Sequence, residues 1–270
     1  MRERYCYWSV ADGHYAAMME RLIASARGVG VFRDFHVWSD RRVDGARNHR
    51  LGRLDKRMFM FKVRLLREVV SRLDYDYFVW LDADSLFVRH PGDPLRPLQG
   101  APAHVPLESD ATAARRPGRY YGCPYDEYVK FMHRRGVRSR SIFTGNGGYF
   151  VVKKEAVETF TELAADFWVR CQRQGFRAFR EEPALAYAAQ MLCGNPYLHQ
   201  MERHTDLWMP DRVGIFKNRL PASTAWTHRD AITGASYRAK PALVHAPLSQ
   251  GRLARPLPSS SARGSLKRKK

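Results

Sequence analysis

The chain has 270 residues, 44% of them hydrophobic, and a formal net charge of +19 at pH 7. This is enough apolar material for one large domain, or two small ones, with a continuous core. No apolar run approaches the roughly 18 residues that a membrane-spanning helix needs, and the N-terminus lacks an apolar signal region, so we expect a cytoplasmic protein. The four cysteines are far apart, which predicts free thiols rather than a zinc site.

The positive charge favours a negatively charged partner, such as anionic lipid, a phosphorylated glycan or nucleic acid. Residues 251–270 carry seven of the Lys and Arg residues and no acid. We expect this tail to be disordered because it is too polar to bury, and it offers a contact for an anionic membrane surface. No helix-turn-helix, zinc finger or RNA-binding aromatic motif is present, so specific nucleic-acid recognition is not expected.

Strand-like and helix-like segments alternate from the N-terminus. Residues 5–10 are aromatic and β-branched, residues 15–26 repeat apolar positions with the helical period, and residues 31–38 are again strand-like. Strand, helix and strand in succession predict an α/β sheet. Residues 44–56 are polar and predict a loop.

Later elements follow the same two periodicities. We predict an amphipathic helix over 58–73, a strand over 77–81, a glycine-rich loop and strand over 144–152, helices over 155–174 and 184–192, and a last strand over 242–245. Residues 101–141, by contrast, are rich in Arg, Gly, Pro and Tyr, with one short helix over 125–134. We interpret this segment as poor in core and as a variable insert or a lid over a substrate.

An acid pair follows the predicted strand 77–81. Asp82 and Asp84 are two residues apart, and in an extended chain such residues point to the same side. Their carboxylates lie between apolar runs, where uncompensated charge is costly, and carboxylate oxygens suit Mg²⁺ or Mn²⁺. The pair therefore predicts a divalent metal site, of the kind that stabilises departing phosphate in an enzyme acting on a nucleoside diphosphate. A surface acid pair without function is the alternative.

Several other candidate residues have structural alternatives. Lys62 is either a solvated helix residue or a positive charge that serves a bound anion. Asp12 suits a helix N-cap as well as a ligand contact. Asn146, Gly147 and Gly148 form either a plain turn or a loop that a ligand approaches closely.

Two more candidates lie further along the chain. His245 follows an apolar dipeptide and is either a packed histidine or a metal ligand. Glu181 and Glu182 precede a proline at a predicted helix start, where acidic residues are favourable. A role in binding an acceptor group, or as a base, is the alternative for these two carboxylates.

Taken in order, these motifs resemble the glycosyltransferases of the GT-A type. The resemblance covers most of residues 5–250 and is to family eight, which includes glycogenin and the bacterial lipopolysaccharide galactosyltransferases, and to families thirty-four and seventy-seven. It implies one domain over 1–250 with a mixed, mostly parallel sheet and helices on both faces. It also implies transfer of a hexose from a UDP-sugar to a glycan, lipid-linked or protein acceptor, with Mn²⁺ or Mg²⁺ as cofactor.

The resemblance implies roles for particular residues. Asp82-Ala83-Asp84 matches the D-x-D motif that, together with His245, holds the metal. Glu181-Glu182 is the nearest acidic element to an Asp-Gln pair of family eight, and Glu182 is the candidate catalytic carboxylate. Asp12 and Tyr15 would contact the nucleotide base, and Lys62 would lie near the donor. Asn146 to Gly148 would contact the donor sugar or the acceptor, and Gly251 with Arg252 would contact the diphosphate.

Two other functions stay open on the sequence alone. A sugar-phosphate nucleotidyltransferase would share the sheet and the metal, but it would usually carry a glycine-rich basic loop where residues 11–14 are Ala-Asp-Gly-His. A non-enzymatic protein that binds nucleic acid or membrane would explain the charge but not the acid pair.

Overall fold

The computed structural model describes residues 3–51, 60–98, 100–114, 117–174, 181–193, 208–210, 226–229 and 236–245. The helices are α1 (Tyr15–Gly28), α2 (Phe61–Arg72), α3 (Tyr125–Arg134), α4 (Val157–Arg173) and α5 (Glu181–Cys193). The strands are β1 (Tyr5–Val10), β2 (Phe35–Ser39), β3 (Arg47–Arg50), β4 (Tyr77–Leu81), β5 (Ser85–Phe87), β6 (Ala103–His104), β7 (Leu107–Asp110), β8 (Arg119–Tyr120), β9 (Cys123–Pro124), β10 (Phe143–Gly145), β11 (Tyr149–Lys153), β12 (Trp208–Pro210), β13 (Trp226–Arg229), β14 (Ser236–Ala239) and β15 (Leu243–His245).

The main sheet has six strands in the order β3-β2-β1-β4-β11-β6. Strands β3, β2, β1 and β4 pair in parallel, whereas β11 runs antiparallel to both β4 and β6. The protein is therefore an α/β protein with a mixed sheet, as expected, and its parallel part is confined to one side. The chain places β2 on one side of β1 and β4 on the other, which opens a crevice at the carboxyl ends of β1 and β4.

Both faces of this sheet are covered by helices, as the sequence predicted. On β1, Tyr7 belongs to the buried cluster that contains the apolar residues of α1, while Trp8 belongs to the cluster that contains those of α2, α3, α4 and α5. Neighbouring strand residues point to opposite faces, so one strand serves both cores. Trp8 packs against Trp80 with ring centroids 4.6 Å apart, and Trp80 stacks on Phe150 at 5.9 Å.

The loop predicted over 44–56 contains a strand instead. Residues 47–50 form β3, which pairs in parallel with β2 at the edge of the sheet. An edge strand is paired on one side only, and the side chains of β3 are mostly exposed, so no alternation of apolar residues marks it in the sequence. Residues 52–56 of the predicted loop lie outside the described part of the chain.

The expectation that residues 101–141 contribute little core is wrong. This segment supplies β6 to the main sheet, and its predicted helix is α3. Tyr120 and Tyr128 are buried and donate their hydroxyls to the main-chain oxygens of Gly145 and Phe143 at 2.7 and 3.0 Å. Composition did not indicate this core because tyrosine carries a polar hydroxyl and is common at the surface. It is buried where that hydroxyl has a hydrogen-bond partner.

In the described part of the chain, no helix has both the length and the apolar character needed to cross a membrane. All four cysteines are free thiols, as predicted. The basic tail over 251–270 lies outside the described residues.

Candidate functional site

The acid pair lies at the crevice between the carboxyl ends of β1 and β4. The Ser9 hydroxyl donates to the Leu81 main-chain oxygen at 2.6 Å and ties the two strand ends together. After Leu81 the chain turns, and the Ser85 amide donates to the Asp82 main-chain oxygen at 3.0 Å. Asp82 and Asp84 are therefore in a turn rather than in the extended chain that we expected. The chain turns here because it passes from β4 in the main sheet to β5 in a separate three-stranded sheet.

Three of the predicted carboxylates act electrostatically on one tyrosine, Tyr15. Partial burial raises the pKa of Tyr15, and the negative charges of Asp84, Asp82 and Asp12 raise it further. Tyr15 is 41% exposed and begins α1. The structure thus brings together residues that the sequence assigned to the base loop and to the acid pair.

Asp12 is not the N-cap of α1, which corrects one of the alternatives. The N-cap is His14, without a side-chain cap hydrogen bond, and Asp12 contributes its main-chain oxygen to the Tyr15 amide at 3.0 Å. Gly13, with a φ of +55°, turns the chain between Asp12 and the helix. The capping position of α1 is therefore held by His14 and not by Asp12.

Lys62 lies at the centre of the charged groups and is not a solvated residue. Its side chain is only 6% exposed, and its ammonium is 2.8 Å from Asp82 Oδ1 and 3.3 Å from Glu181 Oε1. The ammonium also donates to the Gly147 main-chain oxygen at 3.1 Å and lies 5.0 Å from the centre of the Trp80 ring. The Trp80 indole N–H donates to the same Asp82 oxygen at 2.9 Å.

The charge of Lys62 has a consequence for the metal prediction. Burial alone would lower the pKa of Lys62, but the carboxylates of Asp82, Glu181 and Glu182 outweigh burial and raise it, so the side chain is a permanent cation. Its charge compensates Asp82, and the partial burial of that carboxylate does not by itself require a metal ion.

Glu182 is an unusual carboxylate at the start of α5. Burial and the neighbouring charge of Glu181 raise its pKa to about 7, although the positive charge of Lys62 acts in the opposite direction. Its Oε2 atom is buried and has no hydrogen-bond partner among the described residues. A carboxylate that titrates near neutral pH and keeps one oxygen unpaired can take up a proton from a substrate.

The glycine-rich loop joins the acid turn to these charges. The Asp82 amide donates to the Gly148 main-chain oxygen at 2.9 Å, and Asn146 Oδ1 accepts from the Gly148 amide at 2.8 Å. A Cβ atom on Gly147 would lie 3.4 Å from Glu182 Cγ and 3.5 Å from the Lys62 ammonium. Glycine at 147 therefore lets the main chain pass directly beside the charged groups.

The backbone of His245 also lies next to the acid turn. β15 pairs antiparallel with β5, and His245 is opposite Ser85, which follows Asp84 directly. The side chain of His245 and all of Gly251 and Arg252 lie outside the description. Among the described residues, no three or more His, Cys, Asp and Glu side chains form a group that could hold a metal ion.

Sequence reasoning missed one residue of the site and misjudged another. Trp80 was assigned only to a strand, and Glu181 mainly to a helix terminus. Their contacts join segments far apart in the chain, so no local pattern shows them. The one usable signal was the pair of acids before Pro183, which placed two charges on a single helix start.

No protein-family model matches this sequence, and no curated protein matches it significantly.

Proposed function

We propose that the protein is a metal-dependent glycosyltransferase of the GT-A type. It would transfer a hexose from a nucleotide sugar, most simply a UDP-hexose, to a hydroxyl of a glycan, lipid-linked or protein acceptor. The observation that carries the proposal is the convergence of the acid turn, Lys62 and Glu182 at the crevice between β1 and β4. In a doubly wound sheet, a crevice of this kind is where nucleotides bind.

The acid turn has the chemistry that a divalent ion on a diphosphate needs. Asp82 and Asp84 supply hard oxygen ligands, and His245 is a third candidate from its backbone position. Mg²⁺ on a nucleotide takes one or two carboxylates, with phosphates and waters as the other ligands, so a cluster of three protein ligands is not required. When bound, such an ion neutralises the departing diphosphate.

The remaining residues would bind and orient the substrates. Asp12 and Tyr15 would line the nucleotide side, and Lys62 would hold Asp82 in place with a fixed positive charge. Gly147 and Gly148 would allow the sugar to approach the main chain. Residues 101–141 would lie over the acceptor, and Gly251 with the basic tail would add contacts to diphosphate and to an anionic membrane surface in the cytoplasm.

Glu182 would act as the base. The acceptor oxygen forms a bond to the anomeric carbon of the donor, and its proton passes to the Glu182 carboxylate. The bond from that carbon to the diphosphate breaks, and its electron pair leaves with UDP. A base with a pKa of about 7 combines a useful ionised fraction with enough strength to take the proton.

The proposal is tested with UDP and with sugar donors. UDP with Mn²⁺ should raise the melting temperature of the wild-type protein, and one of a set of UDP-, GDP- and CMP-sugars should be hydrolysed. Asp82→Asn and Asp84→Asn should abolish both effects, and chelation with EDTA should stop hydrolysis. A protein that neither binds UDP with Mn²⁺ nor turns over any donor would not be a glycosyltransferase of this type.

Other histidines provide the control for the third metal ligand. His245→Ala should raise the Mn²⁺ concentration needed for activity by more than His90→Ala or His133→Ala, because those two side chains are exposed and neither belongs to the strand that pairs with Ser85. Equal responses of the three variants would remove His245 from the metal site without affecting the assignment of Asp82 and Asp84.

A further inference from the structure

Trp80 donates its indole N–H to the acid turn from inside the hydrophobic core. The side chain is 2% exposed and lies on β4, between Trp8 of β1 and Phe150 of β11. The Phe150 ring stacks on the indole at 12° from parallel, and Trp8 and Phe61 contact it edge to face with centroids 4.6 and 6.2 Å away. Packing on these sides fixes the direction of the indole, and its N–H reaches Asp82 Oδ1 at 2.9 Å.

Two other tryptophans of the same cluster show that indole pairing is not general in this core. Trp8 and Trp38 are as deeply buried as Trp80, yet their indole nitrogens have no hydrogen-bond partner among the described residues. Packing alone therefore does not require a paired N–H at position 80. A hydrogen bond to an ionised oxygen is also roughly twice as strong as one between neutral groups. The pairing of Trp80 with Asp82 therefore indicates a role in orienting the carboxylate.

The Oδ1 atom of Asp82 has two donors from the protein. The Lys62 ammonium lies 2.8 Å from this oxygen, which also accepts the Trp80 N–H. An ionised carboxylate has about four acceptor positions, two on each oxygen. Both positions on Oδ1 are therefore taken by donors whose side chains are buried. The Asp82 side chain itself is 23% exposed, so the carboxylate lies at the rim of the charged cluster rather than inside it.

This arrangement limits how Asp82 can bind a cation. With Oδ1 taken by two donors, a cation can use Oδ2 but not both oxygens at once. Mg²⁺ demands near-ideal octahedral geometry and uses one or two carboxylates, and Mn²⁺ also takes octahedral oxygen sites. Ca²⁺ accepts roughly six to eight oxygens and can use both oxygens of one carboxylate. Binding through one oxygen therefore favours Mg²⁺ and Mn²⁺ over Ca²⁺.

We propose that Trp80 is the positioning residue for Asp82, and that it makes the acid turn selective for Mg²⁺ and Mn²⁺ over Ca²⁺. Together with Lys62, its N–H occupies Oδ1 and limits Asp82 to one-oxygen binding. Trp80 acts only through Asp82. This inference rests on the proposed glycosyltransferase function, because it concerns the cation that accompanies the diphosphate of the nucleotide.

The test measures cation affinity without turnover. Mn²⁺ is titrated into the protein with UDP, electron paramagnetic resonance reports the Mn²⁺ that is not bound to protein, and Ca²⁺ is then added to displace the bound Mn²⁺. Trp80→Phe removes the N–H and keeps an aromatic ring on β4. The matched control is Trp8→Phe, the same change in a contacting tryptophan whose N–H has no partner among the described residues.

We expect Trp80→Phe to weaken Mn²⁺ binding about tenfold, since losing a group that orients a metal ligand typically costs about 10–100-fold in affinity. Ca²⁺ affinity should stay within about twofold, because Ca²⁺ can use the second oxygen once a donor is removed. The ratio of Mn²⁺ to Ca²⁺ affinity should therefore fall, and Trp8→Phe should keep the wild-type ratio. A tryptophan that only supports the core would, when changed, lower both affinities together and leave their ratio unchanged.

A measurement on the wild-type protein decides the result if Trp80→Phe does not fold. With UDP present, a Ca²⁺ affinity at least about tenfold below that for Mn²⁺ supports binding through one oxygen of Asp82, and a smaller difference overturns the proposal.

Two failures are distinguishable. If the wild-type protein binds Mn²⁺ with UDP but Trp80→Phe changes the affinity ratio less than about threefold, Trp80 is not the positioning residue and the glycosyltransferase proposal stands. If the wild-type protein neither binds Mn²⁺ with UDP nor turns over a donor, the proposed function fails, and the cation selectivity of the acid turn fails with it.

Discussion

Two polar clusters lie on the same sheet, and they differ in how completely their groups are paired. The first, which we call the histidine cluster, comprises Asp34, His36, Arg47, His49 and Tyr75 and begins at the amino ends of β2 and β4. The Tyr75 hydroxyl donates to Asp34 at 2.6 Å, and Arg47 pairs with the same carboxylate at 3.0 Å. The ring nitrogens His36 Nδ1 and His49 Nε2 are 2.8 Å apart. No buried side-chain polar atom of this cluster lacks a partner within the described residues.

The second cluster lies at the carboxyl ends of the strands and comprises Lys62, Asp82, Glu181 and Glu182. Here three carboxylates face one buried ammonium, and one carboxylate oxygen has no partner among the described residues. We call it the carboxylate cluster.

The comparison shows that polar residues in a sheet do not by themselves mark a site. A cluster whose donors and acceptors are matched stabilises the strands that it joins. A cluster with excess charge and an unpaired oxygen reduces stability, and such features concentrate where a ligand completes the set. The predictions below test whether the two clusters differ in this way.

The largest expected effect is on Lys62. Lys62→Met leaves the carboxylates of Asp82, Glu181 and Glu182 without their shared cation, and breaking a buried pair in this way costs about 3–5 kcal/mol of unfolding free energy. Urea denaturation measures the loss, and Glu181→Gln in the same chain should recover part of it. Lys130→Met is the control: Lys130 pairs with Asp126 at the surface, where the loss should stay below about 1 kcal/mol. Equal losses would mean that the carboxylate cluster is not a coupled unit.

The next effect is a pH dependence that arises from Glu182. Its pKa is raised from an ordinary 4.5 to about 7 by burial and by Glu181. A raised carboxyl pKa gives stability that is fully present below pH 4.5 and is lost as the pH rises through 7. Between pH 4.5 and 8, wild-type protein should therefore lose about 3 kcal/mol relative to Glu182→Gln, measured by urea unfolding at both pH values. Parallel pH profiles would contradict the burial of this carboxyl in the native state.

The histidine cluster should show the opposite sign. Burial lowers the pKa of His36 from an ordinary 6.5 to about 4, and the neighbouring His49 acts in the same direction. A lowered histidine pKa gives stability that is present above pH 6.5 and is lost as the pH falls through 4. Between pH 7 and 4.5, wild-type protein should lose roughly 2.5 kcal/mol relative to His36→Gln in the same assay. A larger loss of unfolding free energy in His36→Gln than in the wild type would contradict a lowered pKa of His36.

The smallest effect concerns the space beside the carboxylate cluster. In Gly147→Ala the new Cβ would lie 3.3 Å from Leu185 Cδ1 and 3.4 Å from Glu182 Cγ, which crowds the cluster. We expect a stability loss of about 1 kcal/mol, together with a larger loss of donor turnover than this small change in stability would produce. Gly28→Ala is the control, since no atom of the described residues lies within 4 Å of its Cβ position. Unchanged turnover in Gly147→Ala would show that close approach at this position is not needed.

Much of the fold follows from local patterns in the sequence. The strand at 77–81 and the helix at 125–134 were predicted with their observed bounds, because their apolar residues repeat with the period of the element that they form. β3 was missed because its side chains face solvent on an edge. The core of residues 101–141 was missed because its tyrosines are buried only when their hydroxyls meet main-chain oxygens from another segment.

The candidate site was predictable residue by residue but not as an arrangement. Asp82, Asp84, Lys62 and Glu182 were all named from the sequence, yet the turn that holds the aspartates and the ion pair between Lys62 and Asp82 were not. The approach of Gly147 to both Lys62 and Glu182 joins three distant segments, and no sequence spacing indicates it.

The sequence by itself determined the alternation of strands and helices and the kinds of side chain that end the strands, because these depend on short-range periodicity and composition. Only the tertiary structure decided the order of strands in the sheet, which charges share the ammonium of Lys62, and which oxygen of Glu182 has no partner within the described part of the chain. Burial and Coulomb interactions are set by distances in space, and those distances exist only after the chain has folded.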